Sequence, residues 1–489
     1  MNKDRLKARA RAAGLLGLAE SAIDEDLVDF IVETKGDALL RARAGSGKTT
    51  ALAIKVAYLT MDAGVDPSKI MMLTFNNAAA RSLEARIRDF GTPGGIRVRT
   101  FHALGQRIVR AHFGAARRAV FDETGDDGLA IAEMMEESVE EVINERFFHY
   151  CAGKMRTRYD KRREYVESVG RDALVSAVNF MRARGYGLHR QMENAWDIGG
   201  PIAGNAMKVI LGFEGRLRAA RLIDAVGVLQ AAAWTLEREI ETGVMRPSEA
   251  HDVDWIFIDE FQDMSHPYLR LVEAIRNING MACVQGVGDD YQSVNGFAGA
   301  DLDHFLNVAK YLDEPVLLDL LRNRRSGSKI VDWGNAVMEE AGHGAAPAVA
   351  SEANGAGEVR MARISAERDL RYVATRLAEL VDHDLASVAL IARKWKVGDH
   401  GLSRLRGVFE ASLREKGYRG TVVGITAHGS KGLEYDQVLL LDDGSFPMEH
   451  PSRPILESLI PQADFLREEA CLKHVAGTRA RRLLHVVSM

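Results

Sequence analysis

Residues 42–49 read Ala42-Arg43-Ala44-Gly45-Ser46-Gly47-Lys48-Thr49, a spacing built for phosphate. Glycines let successive backbone N–H groups curl around phosphate oxygens, and the helix that follows offers its positive end. In such a loop Lys48 reaches the β- and γ-phosphates and Thr49 ligates Mg²⁺. The contacts to a nucleotide therefore fall on Ala42, Ala44, Gly45, Ser46, Gly47, Lys48, Thr49 and Thr50. A second constellation lies at Trp255–Asp263, where an apolar run, WIFI, delivers DEFQD. Paired carboxylates at the end of a buried strand suit metal-assisted hydrolysis. Asp259 would hold the ion with Thr49, and Glu260 would orient and deprotonate the attacking water.

These residues need strands to carry them. Short apolar runs at Asp37–Arg41, Ile70–Thr74, Trp255–Ile258, Cys283–Val287, Val388–Ala392 and Val438–Leu441 alternate with longer helical patterns. That alternation predicts parallel α/β sheets, one before about residue 290 and one after about 315. A helical stretch rich in Glu, Arg, Met and Ala fills about 115–240. Residues 341–357, small and Gly/Ala-rich, read as an exposed connection.

Composition excludes little. The chain has 489 residues, 46% hydrophobic and 27% charged, an ordinary globular balance. Its net charge of -5 is not that of a uniformly basic nucleic-acid binder, so any such binding rests on local patches. Cys151, Cys283 and Cys471 show neither zinc spacing nor a disulfide framework, which fits a reduced, cytoplasmic setting. No apolar run reaches the ~18 residues of a membrane span. The basic start, with Lys3, Arg5, Lys7, Arg9 and Arg11, reads as an amphipathic helix rather than a signal peptide.

The motifs together resemble the UvrD/Rep/PcrA family of superfamily 1 helicases, in family order over most of the chain. After the phosphate loop come Thr74–Ala80 (TFNNAAA), Thr100–Ala103 (TFHA), DEFQD, and Val287–Val294 (VGDDYQSV). Asn323–Ser326 (NRRS), Thr426–Glu434 (TAHGSKGLE) and Val475–Ala480 (VAGTRA) follow. The resemblance implies an α/β fold of two RecA-like P-loop NTPase domains with ATP and Mg²⁺ between them, and a helical 1B-like insertion in the first. The corresponding segments are 1–114 and 221–314 for domain 1A, 115–220 for the insertion, and 315–489 for domain 2A. It further implies that Gln292 senses the γ-phosphate, Glu434 holds the ribose, and Arg325 and Arg479 are arginine fingers. Thr74, Phe75, Asn77, Thr100, His102, Phe297 and His428 would meet DNA. The implied activity is ATP-driven translocation on single-stranded or tailed duplex DNA, 3′ to 5′. A regulatory ATPase controlling a partner such as a nuclease is the alternative; an unrelated P-loop kinase or GTPase is a third.

Several positions depart from the family. Its adenine-reading glutamine, about 23 residues before the lysine, is replaced by Glu25 with Asp26 beside it. Arg324 stands where an aromatic ring stacks on adenine, and would stack by cation–π contact instead. Asn295 and Phe297 stand for Tyr and Trp, and Gly296–Asp301 resembles the helicase IV branch. In the insertion, Arg146-Phe147-Phe148-His149-Tyr150 and the basic run Lys154–Arg163 suggest a nucleic-acid groove, or else an amphipathic helix with a solvated face. Thr426 follows Arg325 by only 101 positions, so the family's 2B domain is expected to be missing. No C-terminal nuclease or tail is expected after the last motif.

Overall fold

The computed structural model describes residues 3–33, 36–114, 118–121, 124–186, 193–365, 368–448 and 450–489, without the side chains of 193–198 and Phe297. Apolar β-rich runs form two parallel sheets. The strands of the first are β1 (Ala38–Ala42), β2 (Ile70–Thr74), β3 (Arg97–Thr100), β4 (Trp255–Ile258), β5 (Cys283–Gly288) and β6 (Val316–Leu320). Their order is β3-β2-β4-β5-β1-β6, every pair parallel. The second contains β7 (Glu358–Arg363), β8 (Ser387–Ala392), β9 (Thr421–Thr426), β10 (Tyr435–Asp442) and β11 (Ala480–Ser488), in the order β7-β11-β10-β8-β9, again parallel. These are the two RecA-like units. β1, β2 and β4 are almost wholly buried, as strands covered on both faces must be, which is why they read as continuous apolar runs.

Three expectations need correction. β6 pairs with β1, Ala38 opposite Val316 through Ala42 opposite Leu320, so the first sheet runs past the boundary drawn at residue 314. Residues 341–357 are more than an exposed connection: Val349–Ala350 pairs with Arg322–Asn323, and the carbonyls of Ala345 and Ala346 accept bonds from Tyr291 and Arg43. Phe147 and Phe148 do not line a groove. They are buried in the insertion's own core with Val166, Leu174 and Ile210, because helix Glu145–Lys154 turns its aromatic side inward. Arg146 and His149 on its other side, and the basic residues after it, stay exposed.

The basic N-terminal segment forms helix Lys3–Leu16, which buries Ala8, Ala12 and Ala13 against the first unit. Arg5 and Arg9 pair with Glu25, and Arg11 with Asp62. The insertion consists of helices Asp126–Glu140, Glu145–Lys154, Arg163–Ala183 and Glu193–Ala220, the last kinked at Gly200 before Pro201. Ile455 and Leu456, from the short helix Arg453–Leu456 after β10, complete its core. Between Arg325 and Thr426 the described residues hold helices Ser328–Glu340, Leu370–Ala378 and Leu402–Glu415 with strands of the second sheet, and no separate domain. No helix among the described residues is long and apolar enough to cross a membrane.

Candidate nucleotide cleft and nucleic-acid face

In parallel α/β sheets, ligands gather beyond the carboxyl ends of the strands. β1 ends at Ala42 and feeds the phosphate loop, which turns into helix Lys48–Met61 with Gly45 and Gly47 at φ 71° and 97°. Gly45 has a second reason to be glycine. A Cβ there would lie 2.7 Å from Cβ of Arg325 and 2.8 Å from Oδ1 of Asn323. The loop therefore touches the NRRS turn, and the Arg324 N–H donates to the Gly45 carbonyl at 2.9 Å.

β4 ends beside this loop. The Thr49 hydroxyl donates to Asp259 Oδ2 at 2.8 Å, and the Glu260 N–H to Asp259 Oδ1 at 3.0 Å. Glu260 adopts φ 57°, ψ 47°, a left-handed conformation that costs a non-glycine residue of order 1 kcal/mol and that clusters at functional sites. The turn aims its carboxylate into the cleft, where Gln262 Nε2 donates to it at 2.7 Å. Burial, then the neighbouring Glu260 charge, push Asp259 up to about 6. Burial also acts to raise Glu260, but Lys48, Lys431 and Gln262 outweigh it and hold Glu260 below the usual carboxylate range. At neutral pH this leaves an ionised base next to a carboxylate in need of a cation. Thr49 and Asp259 supply the few oxygen donors typical of Mg²⁺ shared with phosphates.

β5 ends at Gly288 and presents Asp289, which accepts from Gln292 Nε2 at 2.5 Å and faces Lys48 Nζ at 3.7 Å. Arg43 is 3% exposed. Its Nη1 donates to Asp289 at 2.8 Å and Asp290 at 2.5 Å, and its guanidinium lies 3.8 Å over the Tyr291 ring. Its Nε reaches the Ala346 carbonyl at 2.7 Å.

The opposite wall comes from the second unit. A cavity of about 540 Å³ is lined by Gly45, Gly47, Lys48, Thr49, Glu260 and Gln292 on one side, and by Arg325, Gly432, Glu434, Arg479 and Arg481 on the other. Arg325 pairs with Glu434 at 3.1 Å, and Arg481 holds the same carboxylate. Arg479 differs. It is 1% exposed, donates only to the Val475 and Leu433 carbonyls, and has no carboxylate partner among the described residues. Its Nη2 has no hydrogen-bond partner among the described residues. Burial, then repulsion from Arg325, lower its pKa to about 9. Lys431 also crosses the cleft, to Asp263 at 2.5 Å and the Gln292 carbonyl at 3.2 Å.

The far end of the cavity corrects two expectations. Arg324 is not free to stack: it donates to Asp24 at 2.6 Å and to the Ala22 carbonyl at 3.2 Å. Glu25 points to Arg5 and Arg9 instead of the cleft, so Asp24 is the acid at this end. Thr50 meets the cleft through Arg86, which donates to its hydroxyl. Arg86, Ser82, Lys431 and Arg481 have no place in the sequence-derived site. A signal existed for two of them: Ser82 and Arg86 sit four apart on helix Asn77–Asp89 and so share a face.

The residues expected at nucleic acid fall partly together. Thr74–Phe75 and Thr100–His102 leave the ends of adjacent strands β2 and β3. Phe75 packs 5.2 Å from Phe101 and 5.0 Å from Tyr268, and His102 lies 5.8 Å from Tyr268 and from the exposed Phe121. Thr74 and Thr100 are buried; the Thr100 hydroxyl caps its helix by accepting from Ala103 N–H. Asn77 is exposed on the first turn of its helix. His428, on the second unit, bonds to the backbone of Val294, and burial holds its pKa down. Phe297 lies in the turn Gly296–Ala298, but its side chain is outside the described residues.

Comparison with known proteins agrees with this layout. Residues 24–313 match the UvrD/REP helicase N-terminal domain, and residues 408–489 the UvrD-like helicase C-terminal domain. The chain is 25% identical over 474 residues to DNA helicase IV of Escherichia coli (strain K12), covering 92% of this chain and 66% of that protein. It is 26% identical over 315 residues to ATP-dependent DNA helicase PcrA of Staphylococcus epidermidis, covering 63% of this chain and 38% of the relative. It therefore spans just under two thirds of the first relative and well under half of the second.

Proposed function

The chain belongs to the UvrD/REP helicase family, and from that premise we propose that it is an ATP-driven motor on single-stranded DNA, moving 3′ to 5′. In this reading the first sheet is domain 1A, residues 115–220 are 1B, the second sheet is 2A, and 2B is absent. The observation that carries it is Arg479, a buried guanidinium with no carboxylate partner among the described residues, set across a cavity from Lys48 and Glu260. Burying a charge unpaired is costly, so such a cation belongs with an anion that arrives from outside. The γ-phosphate is the anion the phosphate loop would deliver there.

Lys48 would grip the β- and γ-phosphates, and Thr49 and Asp259 would hold Mg²⁺, which when bound neutralises phosphate charge. Glu260 would take a proton from the water that attacks the γ-phosphorus, with Gln292 fixing its position. Arg325 and Arg479 would meet the charge spread over the transferring phosphoryl oxygens. Because they come from the second unit, hydrolysis would report on cleft closure. Glu434, released from Arg325 and Arg481, would be free for the ribose. DNA would cross the strand ends at Phe75, His102, His428 and Phe297, held by stacking worth ~1–3 kcal/mol per base.

A regulatory ATPase that controls a partner such as a nuclease is the second reading. The compact interval between Arg325 and Thr426, which leaves no duplex-handling domain, favours it. One assay tests both readings and a second separates them. ATP hydrolysis stimulated by single-stranded oligonucleotides, and lost in Glu260→Gln, is expected of both; no stimulation would overturn both. Strand separation of a tailed duplex by the isolated chain is expected of the motor alone.

A further inference from the structure

Arg43 stands inside the phosphate loop at a position the motif leaves open, so phosphate binding by itself does not call for an arginine there. Arginine is almost never fully buried unless paired. Arg43 is buried together with its partners Asp289 and Asp290. One guanidinium serves both carboxylates through Nη1 and the Ala346 carbonyl of the second unit through Nε, and it lies over the Tyr291 ring. That use of a rigid fork is particular to arginine; a lysine offers a point charge on a flexible stem. The cleft is lined by Lys48 and not by Arg43, so Arg43 works from behind the loop.

The needs of Asp289 explain the arrangement. Among the described residues, the cations within ion-pair distance of it are Arg43, at 2.8 Å, and Lys48, at 3.7 Å. Two buried histidines stand nearby, but neither carries charge at neutral pH. Burial holds His343, 3.4 Å from Asp290, below its ordinary value, and pushes His474 down to about 4. Burial acts to raise Asp289, but Lys48, then Arg43, outweigh it and hold it below the usual carboxylate range. Lys48 therefore has two claimants. Without nucleotide it faces Asp289, and with nucleotide it must turn to the β- and γ-phosphates. A buried carboxylate stripped of its cations is strongly unfavourable. If Arg43 were removed, Asp289 and Asp290 would have Lys48 alone, and Lys48 could leave only by stranding both. We propose that Arg43 is the resident counter-ion of Asp289, which frees Lys48 from that carboxylate and so sets how tightly the phosphate loop holds a nucleotide. Arg43 is thus a positioning residue that acts through Asp289 and Lys48. The inference rests on the reading of the cleft as a nucleotide site.

The test is a double-mutant cycle on nucleotide affinity, read by titrating a fluorescent ATP analogue, with turnover at saturating ATP measured beside it. Arg43→Met should weaken binding about tenfold or more, within the range of coupling in one ion-pair network, and leave saturated turnover within a few-fold. Beside Asp289→Asn, where Lys48 has no carboxylate to leave, the same change at Arg43 should cost at most about twofold. Arg43→Lys keeps a cation but not the fork, and should lose about three- to fivefold, between wild type and Arg43→Met. Melting temperatures of the nucleotide-free variants show which of them fold. If Arg43→Met does not, Arg43→Lys carries the same cycle, and its loss should vanish beside Asp289→Asn. An equal loss of affinity with and without Asp289→Asn overturns the inference, because Arg43 would then only shape the loop. A loss of turnover with affinity unchanged overturns it as well. A wild-type chain that binds no nucleotide would instead overturn the reading of the cleft on which it rests.

Discussion

On the cleft wall built by the first sheet, the groups around the catalytic carboxylates answer one another, and the Ser46 hydroxyl is the phosphate-loop group left without a partner among the described residues. Asp259 accepts from Thr49 and the Glu260 N–H, Glu260 from Gln262, and Asp289 from Arg43 and Gln292. On the wall built by the second unit, Arg479 lies buried with no partner for its Nη2 among the described residues, and Arg325 and Arg481 converge on the carboxylate of Glu434, with Asp436 a further partner of Arg481 at 3.9 Å. The first wall is organised before a ligand arrives, whereas the second holds charge that only a ligand can balance. Chemistry that depends on closure needs this asymmetry. A preorganised wall fixes the water and metal positions, and a wall with unbalanced charge gains most from meeting phosphate.

The comparison breaks hardest at Arg479. Arg479→Met should lower ATP turnover by about 10³-fold or more, the usual worth of an arginine finger. The same change should leave the melting temperature of the nucleotide-free chain unchanged or raised, because it removes an uncompensated buried charge. Loss of turnover with a strongly lowered melting temperature would make Arg479 a structural residue.

On the organised wall, Glu260→Gln should cut turnover by about 10²–10⁴-fold and leave nucleotide affinity within a few-fold, as expected of a missing general base. Lys48→Ala should weaken affinity as well as turnover. Equal loss of affinity in the two variants would remove Glu260 from that role.

Lys431 ties the walls together, and its effect should be intermediate. Lys431→Ala leaves Asp263 buried without its partner, so apparent nucleotide affinity should fall about tenfold and stability should drop. Lys431→Met with Asp263→Asn should recover much of both, giving a coupling of order 1–3 kcal/mol in a double-mutant cycle. Simple additivity would show that the contact does no work across the cleft.

The smallest effect concerns pH. Burial and Glu260 raise Asp259 to about 6 in the folded chain, above its ordinary 3.8. A raised folded value means that the ionised form burdens the fold. The stability associated with this group is full below about pH 4 and lost as pH rises through about 6. Asp259→Asn should therefore raise the melting temperature of the nucleotide-free chain by a few degrees at pH 7–8, and not at pH 4. An equal effect at both ends of this range would contradict the assigned cause.

Much of the site was legible because its parts are local. Phosphate loops, carboxylates after an apolar strand and N-caps depend on neighbours in sequence, and β2 and β4 match their apolar runs residue for residue. Partners distant in sequence were not legible. Nothing near Arg324 announces Asp24, some 300 positions away, and nothing near Lys431 announces Asp263. Interleaved aromatic and basic residues also read ambiguously, since helix Glu145–Lys154 could turn either side inward. Packing against Val166 and Leu174 put Phe147 and Phe148 in the core and left the basic turn outside.

The amino-acid sequence by itself determined which groups could do chemistry and which strands would carry them, because backbone propensity, burial pattern and turn chemistry act over a few residues. Only the tertiary structure decided which charges are answered and which are left waiting. It joined β6 to the first sheet, gave Arg324 to Asp24, and left Arg479 without a carboxylate partner among the described residues. Charge compensation depends on distances of a few ångströms between segments hundreds of residues apart, and only the packed fold sets those distances.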